Sequence, residues 1–205
     1  GLDDLAKLPR WLGLGQIMDL AKPEHETTFL QMLAGPSRHH PVPMMADPPP
    51  ADFVPRKAEI DALKADLLAA ETGDAIAVTA ALRGTTGYGK TALALALAAD
   101  PDIEDDYVDG ILWVVLGEKG REHVVSLIGD IIGALGAPRE DFNTPMGAAD
   151  ALAKALGNKR ILLIIDDVWH RPDVEPFLKG GPKTTRLITT RFAQVLPGDT
   201  KEHRV

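Results

Sequence analysis

The amino-acid sequence predicts a three-layer α/β domain, with helices on both faces of a mostly parallel sheet. Three observations favour this fold class. From residue 53 onward, short apolar segments alternate with segments of helical periodicity, and such alternation predicts parallel strands joined by right-handed crossovers. The run Ile161–Ile165 contains five consecutive apolar residues, which is typical of a strand buried on both faces. A glycine-rich turn at residues 84–89 separates a strand-like segment from a helix-like one.

Each element has its own signal in the sequence. Residues 53–72 contain a helix, because apolar residues recur there at helical spacing. Strands are predicted at residues 75–82, 111–116, 161–167 and 186–190, and a further strand begins near residue 203. Helices are predicted at residues 91–99, 124–135 and 146–156, and Thr144-Pro145 is a good start signal for the last of these.

The chain divides into three predicted parts. Residues 1–35 hold one predicted strand (11–20) and one helix (24–34). These two elements cannot bury their own apolar sides, so they either dock on the main domain or are the tail of a preceding domain, which is the interpretation adopted for 1–35. Residues 36–52 are rich in proline, which excludes a regular helix or a central strand and predicts an extended linker. Residues 53–205 form the main domain.

Composition and net charge exclude or disfavour several classes of protein and of binding site. The formal net charge of −8 disfavours a nucleic-acid partner, which needs a basic face. The absence of cysteine excludes disulfides and thiolate metal sites. No apolar run approaches the ~20 residues of a membrane helix, and the start of the chain lacks a basic signal-peptide region. These features predict a soluble cytoplasmic protein with no membrane partner.

A phosphate-binding loop is the strongest motif. Gly84, Gly89, Lys90 and Thr91 have the spacing G-x-x-x-x-G-K-[ST], between a predicted strand and a predicted helix. Glycines let successive backbone N–H groups point at phosphate oxygens, and the helix N-terminus adds partial positive charge. Lys90 can then reach the β- and γ-phosphates while the Thr91 hydroxyl holds Mg²⁺. The motif predicts a P-loop core that binds a nucleotide.

Charged residues follow two other predicted strands. Asp166 and Asp167 end the strand at 161–167, where open α/β sheets place their ligands. Asp166 either caps the next helix or, beside a phosphate loop, supports Mg²⁺. Arg191 follows the strand at 186–190. It is either an ordinary surface arginine or a contact to the γ-phosphate.

Together these segments resemble the NB-ARC family of signal-transduction ATPases, which includes apoptosome adaptors and plant disease-resistance proteins. The resemblance covers residues 52–205 and rests on the phosphate loop and on three further segments: Phe53-Val54-Pro55-Arg56, Leu162–Trp169 and Leu187–Arg191. Thr86 stands where the family usually has glycine. The residues end before the family's helical and winged-helix subdomains, so hydrolysis by this chain is expected to be weak or undetectable.

The resemblance implies a role for each site residue. Catalysis would involve Lys90, Asp166, Asp167 and Arg191, with Asp167 orienting the attacking water and Arg191 sensing the γ-phosphate. Thr91 and Asp166 would hold the metal. Contacts to the nucleotide are implied for the following residues: Val54, Arg56, Gly84, Thr86, Gly87, Tyr88, Gly89, Lys90, Thr91 and Ala92.

Two functions remain open at this point. The first, which the resemblance implies, is an ATP/ADP switch with slow Mg²⁺-dependent hydrolysis that controls oligomerisation in defence or cell-death-like signalling. The second is a non-catalytic self-assembly module with structurally bound nucleotide. A DNA-directed ATPase is disfavoured by the acidic charge. Residues 8–33 are similar to the last strand and helix of a bacterial TIR domain, which implies a TIR–NB-ARC parent.

Overall fold

The computed structural model describes residues 42–70, 75–79, 89–138, 142, 144–198 and 200–204, with the backbone alone for 75–79. Apart from Val42, these residues belong to one compact unit, Pro43–Val205. The tail predicted at 1–35 and most of the glycine-rich loop lie outside the described residues. The predicted domain boundaries therefore stay predictions.

Strands and helices alternate along this unit. The helices are α1 (Lys57–Ala69), α2 (Lys90–Ala98), α3 (Pro101–Asp106), α4 (Val124–Ala134), α5 (Pro145–Leu156) and α6 (Arg171–Val174). The strands are β1 (Ala75–Thr79), β2 (Ile111–Gly117), β3 (Leu162–Val168), β4 (Thr185–Thr190) and β5 (Lys201–Arg204). Short 3-10 turns lie at Gly120–Glu122, Glu175–Leu178 and Ala193–Val195.

The five strands form one parallel sheet in the order β2-β3-β4-β1-β5. In this order β4 lies between β3 and β1, so it pairs Ile164 with Leu187 on one side and Ile76 with Leu187 on the other. Because all the strands are parallel, the carboxyl ends of β1, β3 and β4 meet at one edge of the sheet.

Two apolar cores lie on opposite faces of the sheet. Alternate residues of β3 belong to different cores, because successive side chains of a strand point to opposite faces. Leu162 and Ile164 pack with α1, α2 and α3, whereas Leu163 and Ile165 pack with α4 and α5. All four side chains are fully buried, which explains the uninterrupted apolar run. The predicted three-layer fold with a parallel sheet is confirmed.

The helix start predicted at Thr144 is also present. The Thr144 hydroxyl accepts a hydrogen bond from Gly147 N–H at 3.1 Å, and Pro145 occupies the first turn of α5. Helices α3 and α6 were not predicted, because elements of six and four residues are too short to show helical periodicity.

Part of the proline-rich segment contacts the sheet. Met44 forms a parallel bridge with Ile111 at the edge strand β2. Ile111 N–H donates to the Pro43 carbonyl at 2.8 Å, and Met45 N–H donates to the Ile111 carbonyl at 2.9 Å. Proline is tolerated here because an edge position does not require its missing N–H. Ala46 and Phe53 pack on the core beside α1 and α2.

Candidate functional site

The N-terminus of α2 forms one wall of a cleft at the carboxyl edge of the sheet. Gly89 caps this helix with a φ of 71°, a left-handed conformation that glycine adopts without a steric penalty. Lys90 and Thr91 occupy the first turn, where the helix presents unpaired N–H groups and partial positive charge. This wall therefore suits an anion.

Asp166 faces this wall from β3. The Thr91 hydroxyl lies 3.0 Å from both carboxylate oxygens, and the Thr189 hydroxyl donates to Oδ1. The carboxylate is buried with 4% exposure. Burial raises the pKa of Asp166 above its ordinary value, although the hydrogen bonds from Thr189 and Thr91 oppose that shift. Hydroxyl groups supply no positive charge, so the carboxylate charge is not neutralised by these two partners.

A β-bulge brings the next residue to the same cleft. The register of β3 against β4 shifts between Ile165 and Val168, which places one extra residue on β3. Asp167 has a φ of 52°, which is uncommon for a non-glycine residue. Its backbone N–H donates to the Thr189 hydroxyl at 2.9 Å. The bulge explains how two consecutive aspartates both reach one cleft despite the alternation of a strand.

Arg191 approaches from the end of β4. Its Nε lies 3.8 Å from Asp167 Oδ1, and its Cζ lies 5.3 Å from the centre of the Trp169 ring. Burial lowers the pKa of Lys90 and the nearby positive charge of Arg191 lowers it further, whereas Asp167 and Asp166 act in the opposite direction. Two cations and two carboxylates are thus gathered at one place.

The cleft contains most of the sequence-predicted site residues that the structure describes. Its lining residues are Pro50, Gly89, Lys90, Thr91, Ala92, Leu95, Asp167, Thr189 and Arg191. Of the predicted nucleotide contacts, Val54 and Arg56 do not line it: Val54 is 79% exposed and Arg56 is also exposed. Gly84, Thr86, Gly87 and Tyr88 lie outside the described residues.

Three lining residues were missed by the sequence analysis. Leu95 follows Thr91 by four residues, so helical spacing alone places it on the same face of α2. Thr189 stands in the run before Arg191, but its bonds to the Asp166 side chain and the Asp167 backbone depend on the strand order and the bulge. Pro50 gave no sequence signal for this position.

The donor groups fit Mg²⁺. This cation prefers oxygen ligands and is usually bound through one or two carboxylates, and Thr91 and Asp166 offer a hydroxyl and a carboxylate side by side. Asp166 is also a buried anion whose raised pKa reflects its unfavourable environment. A bound divalent cation would reverse that electrostatic penalty.

Comparison with known families identifies the fold family. The family model described as NB-ARC domain matches residues 56–204. The chain therefore belongs to the NB-ARC family. This confirms the resemblance inferred from the sequence motifs and makes the chain a nucleotide-binding module of the signalling-ATPase type. The TIR-like similarity concerns residues outside the described part of the chain and stays a prediction.

Individual relatives agree with this assignment. The NB-ARC domain is 31% identical over 147 residues to the regulatory protein AfsR of Streptomyces griseus, covering 70% of this chain and 15% of AfsR. It is 29% identical over 120 residues to an Arabidopsis thaliana sequence named as a disease resistance protein, covering 58% of this chain and 18% of that sequence. The chain thus spans less than one fifth of either relative.

A solved structure shares the fold. The ORC2 protein of Aeropyrum pernix, determined as ADPNP–ADP complexes, matches with a TM-score of 0.53 and 17% identity, covering 77% of this chain and 50% of that one. Among the residues that the structure describes, no helix has the length and apolarity needed to cross a membrane.

Proposed function

We propose that this NB-ARC domain is an ATP- and ADP-binding molecular switch that hydrolyses ATP slowly in the presence of Mg²⁺. Its nucleotide state would control self-association in defence or cell-death-like signalling. The cytoplasmic location expected from the sequence belongs to the same proposal. One observation carries it: four predicted site residues from different parts of the chain line one cleft, and Asp166 contacts one of them, Thr91. The four lining residues are Lys90, Thr91, Asp167 and Arg191.

The charges of this cleft match a nucleotide polyphosphate. Lys90 and the N-terminus of α2 attract the phosphate groups, and Arg191 supplies a second cation in the same cleft. Bound Mg²⁺, held by Thr91 and Asp166, would neutralise phosphate charge. The ORC2 neighbour was determined as ADPNP–ADP complexes, and the shared fold makes ADP and a non-hydrolysable ATP analogue the first ligands to test.

Hydrolysis requires a group that orients water. Asp167 lines the cleft and its Oδ2 accepts a hydrogen bond from the Trp169 indole, so its remaining lone pairs can accept a proton from a water molecule. Turnover by the wild type, and its loss in Asp167→Asn, would support a slow ATPase over a self-assembly module with structurally bound nucleotide. Because hydrolysis by this chain is expected to be weak, the assay is run under single-turnover conditions over many hours. Bound ATP that stays intact there would favour the second function.

Removal of Lys90 tests the binding site itself. Lys90→Ala is expected to abolish ADP binding in calorimetry while the circular dichroism spectrum stays that of the wild type. Lys90 is half-buried at the cleft and belongs to neither apolar core. Lys183→Ala is the matched control, since Lys183 is exposed and does not line the cleft. Unchanged ADP affinity in Lys90→Ala would refute the proposed site.

A further inference from the structure

Trp169 contacts two residues of the cleft at once. Its indole Nε1–H donates to Asp167 Oδ2 at 3.0 Å, and its ring faces the Arg191 guanidinium at 5.3 Å. The first contact occupies one carboxylate oxygen of Asp167 and leaves the other for a ligand or for water. The second is a cation–π arrangement, because a guanidinium within about 6 Å of a ring centre is attracted to its face.

The ring is held by its own neighbours. The Phe192 ring packs against it with centres 5.4 Å apart and planes inclined by 60°. Phe192 N–H donates to the Thr190 hydroxyl at 3.0 Å, and that hydroxyl donates to the Val168 carbonyl at 2.6 Å. The aromatic pair is therefore connected to the ends of β3 and β4. Trp169 forms a supported surface beside the cleft.

Arg191 needs such a support. Lys90 and Arg191 are like charges that line the same cleft, so their repulsion favours movement of the flexible arginine into solvent. The 3.8 Å separation between Arg191 Nε and Asp167 Oδ1 exceeds a hydrogen-bond distance. Asp167 alone therefore attracts the guanidinium without fixing its position. The face of the Trp169 ring restricts the guanidinium to one position.

We propose that Trp169 is a positioning residue of this phosphate site. Its N–H fixes the Asp167 carboxylate, and its ring holds Arg191 where the terminal phosphate of a nucleoside triphosphate would lie. This inference rests on the proposed function, since it deepens the role of the same cleft. It assigns to Trp169 a part in the discrimination between triphosphate and diphosphate, without direct contact to either.

The first measurement uses the full chain without nucleotide. The chain has three tryptophans, and the indole N–H signal of Trp169 in a ¹⁵N-correlated NMR spectrum is the one lost in Trp169→Phe. Asp167→Ala is expected to move this signal upfield, toward that of a solvated indole, because its hydrogen bond is gone. The Trp113 signal, identified in the same way with Trp113→Phe, is expected to stay in place. An unmoved Trp169 signal would overturn the inferred contact.

The second measurement compares nucleotides by calorimetry. Trp169→Leu removes the ring, so the affinity for a non-hydrolysable ATP analogue is expected to fall about two- to fivefold, the range of a partly exposed cation–π contact. ADP affinity is expected to stay at the wild-type value. Trp169→Phe keeps an aromatic face and is expected to restore most of the lost affinity. In an Arg191→Ala background, Trp169→Leu is expected to have no further effect.

Three results would overturn the proposal. They are an equal loss for both nucleotides, no loss for the ATP analogue, and a loss that persists without Arg191. If Trp169→Leu does not fold, the same titrations are made with Trp169→Phe, which is the smaller change. Failure of the proposed function is visible separately, as absence of ADP and ATP-analogue binding by the wild type. In that event the indole measurement still decides whether Trp169 fixes Asp167.

Discussion

Thr91 of the cleft and the buried Asp166 are in direct contact, with the Thr91 hydroxyl 3.0 Å from each carboxylate oxygen. They come from α2 and β3, and the chain brings them together because α2 begins at the carboxyl edge of the sheet where β3 ends. A hydroxyl has one proton to donate. The buried carboxylate therefore keeps most of its charge uncompensated, a state that favours function over stability.

The substitution Asp166→Asn tests whether the buried charge of Asp166 lowers the stability of the folded chain. Burial raises the pKa of Asp166, so its ionised form is less favourable in the folded than in the unfolded chain. As pH rises from the unfolded pKa to the raised folded one, ionisation lowers the free energy of unfolding, and this loss persists at neutral pH. Asp166→Asn is therefore expected to raise the nucleotide-free melting temperature at pH 7.

The same variant is expected to lose the Mg²⁺-dependent part of ADP binding in calorimetry. An amide is accommodated in this place because its oxygen can face the Thr189 hydroxyl while its NH₂ donates to Thr91 Oγ1. Asp167→Asn makes the same chemical change at a side chain with 32% exposure, and it is expected to shift the melting temperature less. A lower melting temperature for Asp166→Asn would contradict the electrostatic argument.

Thr189 connects the two aspartates and gives a second test. Its hydroxyl donates to Asp166 Oδ1 and accepts from Asp167 N–H, so Thr189→Val leaves both groups without this partner. Loss of such buried hydrogen bonds is expected to lower the free energy of unfolding by about 1–3 kcal/mol, measured by urea denaturation. ADP binding with Mg²⁺ is expected to weaken as well.

The control for this test lies in the same strand. Thr185 is fully buried, and its hydroxyl has no hydrogen-bond partner in the described part of the chain. Thr185→Val therefore removes an unsatisfied polar group and is expected to leave stability unchanged or higher. Equal losses for both variants would show that the shape of β4, and not the Thr189 hydrogen bonds, explains the effect.

The fold was predictable because its signals are local. An apolar run predicts a strand buried on both faces. The helical spacing of apolar residues predicts α1, α2, α4 and α5 without knowledge of the elements packed beside them. The order of the strands in the sheet, by contrast, has no local signal in the sequence. No residue pattern specifies that β4 lies between β3 and β1, yet this order places Arg191 between the Asp166 strand and the strand that precedes the glycine-rich loop.

The site was predictable to the extent that single motifs define it. Lys90, Thr91 and Asp166 stand in spacings whose chemistry is readable in sequence, and the structure brings them together. The bulge at Asp167 and the contacts of Trp169 depend on tertiary packing, so no sequence pattern predicts them. Val54, predicted at the nucleotide, is exposed away from the cleft lining.

Arg186 lies in the same strand as Thr189 but has a structural role. Its guanidinium is 2% exposed and donates to four backbone carbonyls, those of Phe177, Gly180, Gly181 and Thr184. Burial lowers the pKa of Arg186 to about 10, so the group stays charged at neutral pH. Arg186→Met removes this donor from all four carbonyls, although the Gly181 carbonyl still accepts from the Thr184 N–H. The substitution is expected to lower the free energy of unfolding by about 3 kcal/mol or more.

Urea denaturation of Arg186→Met beside Arg171→Met checks this value. Arg171 forms an exposed pair with Glu175, and surface pairs contribute about 0–1 kcal/mol. Similar losses in the two variants would mean that the carbonyls around Arg186 find other donors.

A substitution at Arg191 distinguishes recognition of the γ-phosphate from nucleotide binding in general. Its side chain lines the same cleft as Lys90 and is supported by Trp169 and Asp167. A guanidinium there can pair with γ-phosphate oxygens, and a charge-assisted contact of this kind is worth about 1.5–3 kcal/mol. Arg191→Ala is therefore expected to lower the affinity for a non-hydrolysable ATP analogue by roughly tenfold or more. ADP has no γ-phosphate, so its affinity is expected to stay nearly unchanged.

Parallel calorimetric titrations of the two nucleotides decide among three explanations. A selective loss for the ATP analogue supports the sensor role. An ordinary surface arginine would leave both affinities unchanged, as expected for the control Arg171→Ala, whose side chain is exposed. Equal losses would mean that Arg191 maintains the cleft itself, for example by balancing the charge of Asp167. The distinction matters because a switch requires that the domain bind its two nucleotides through different contacts.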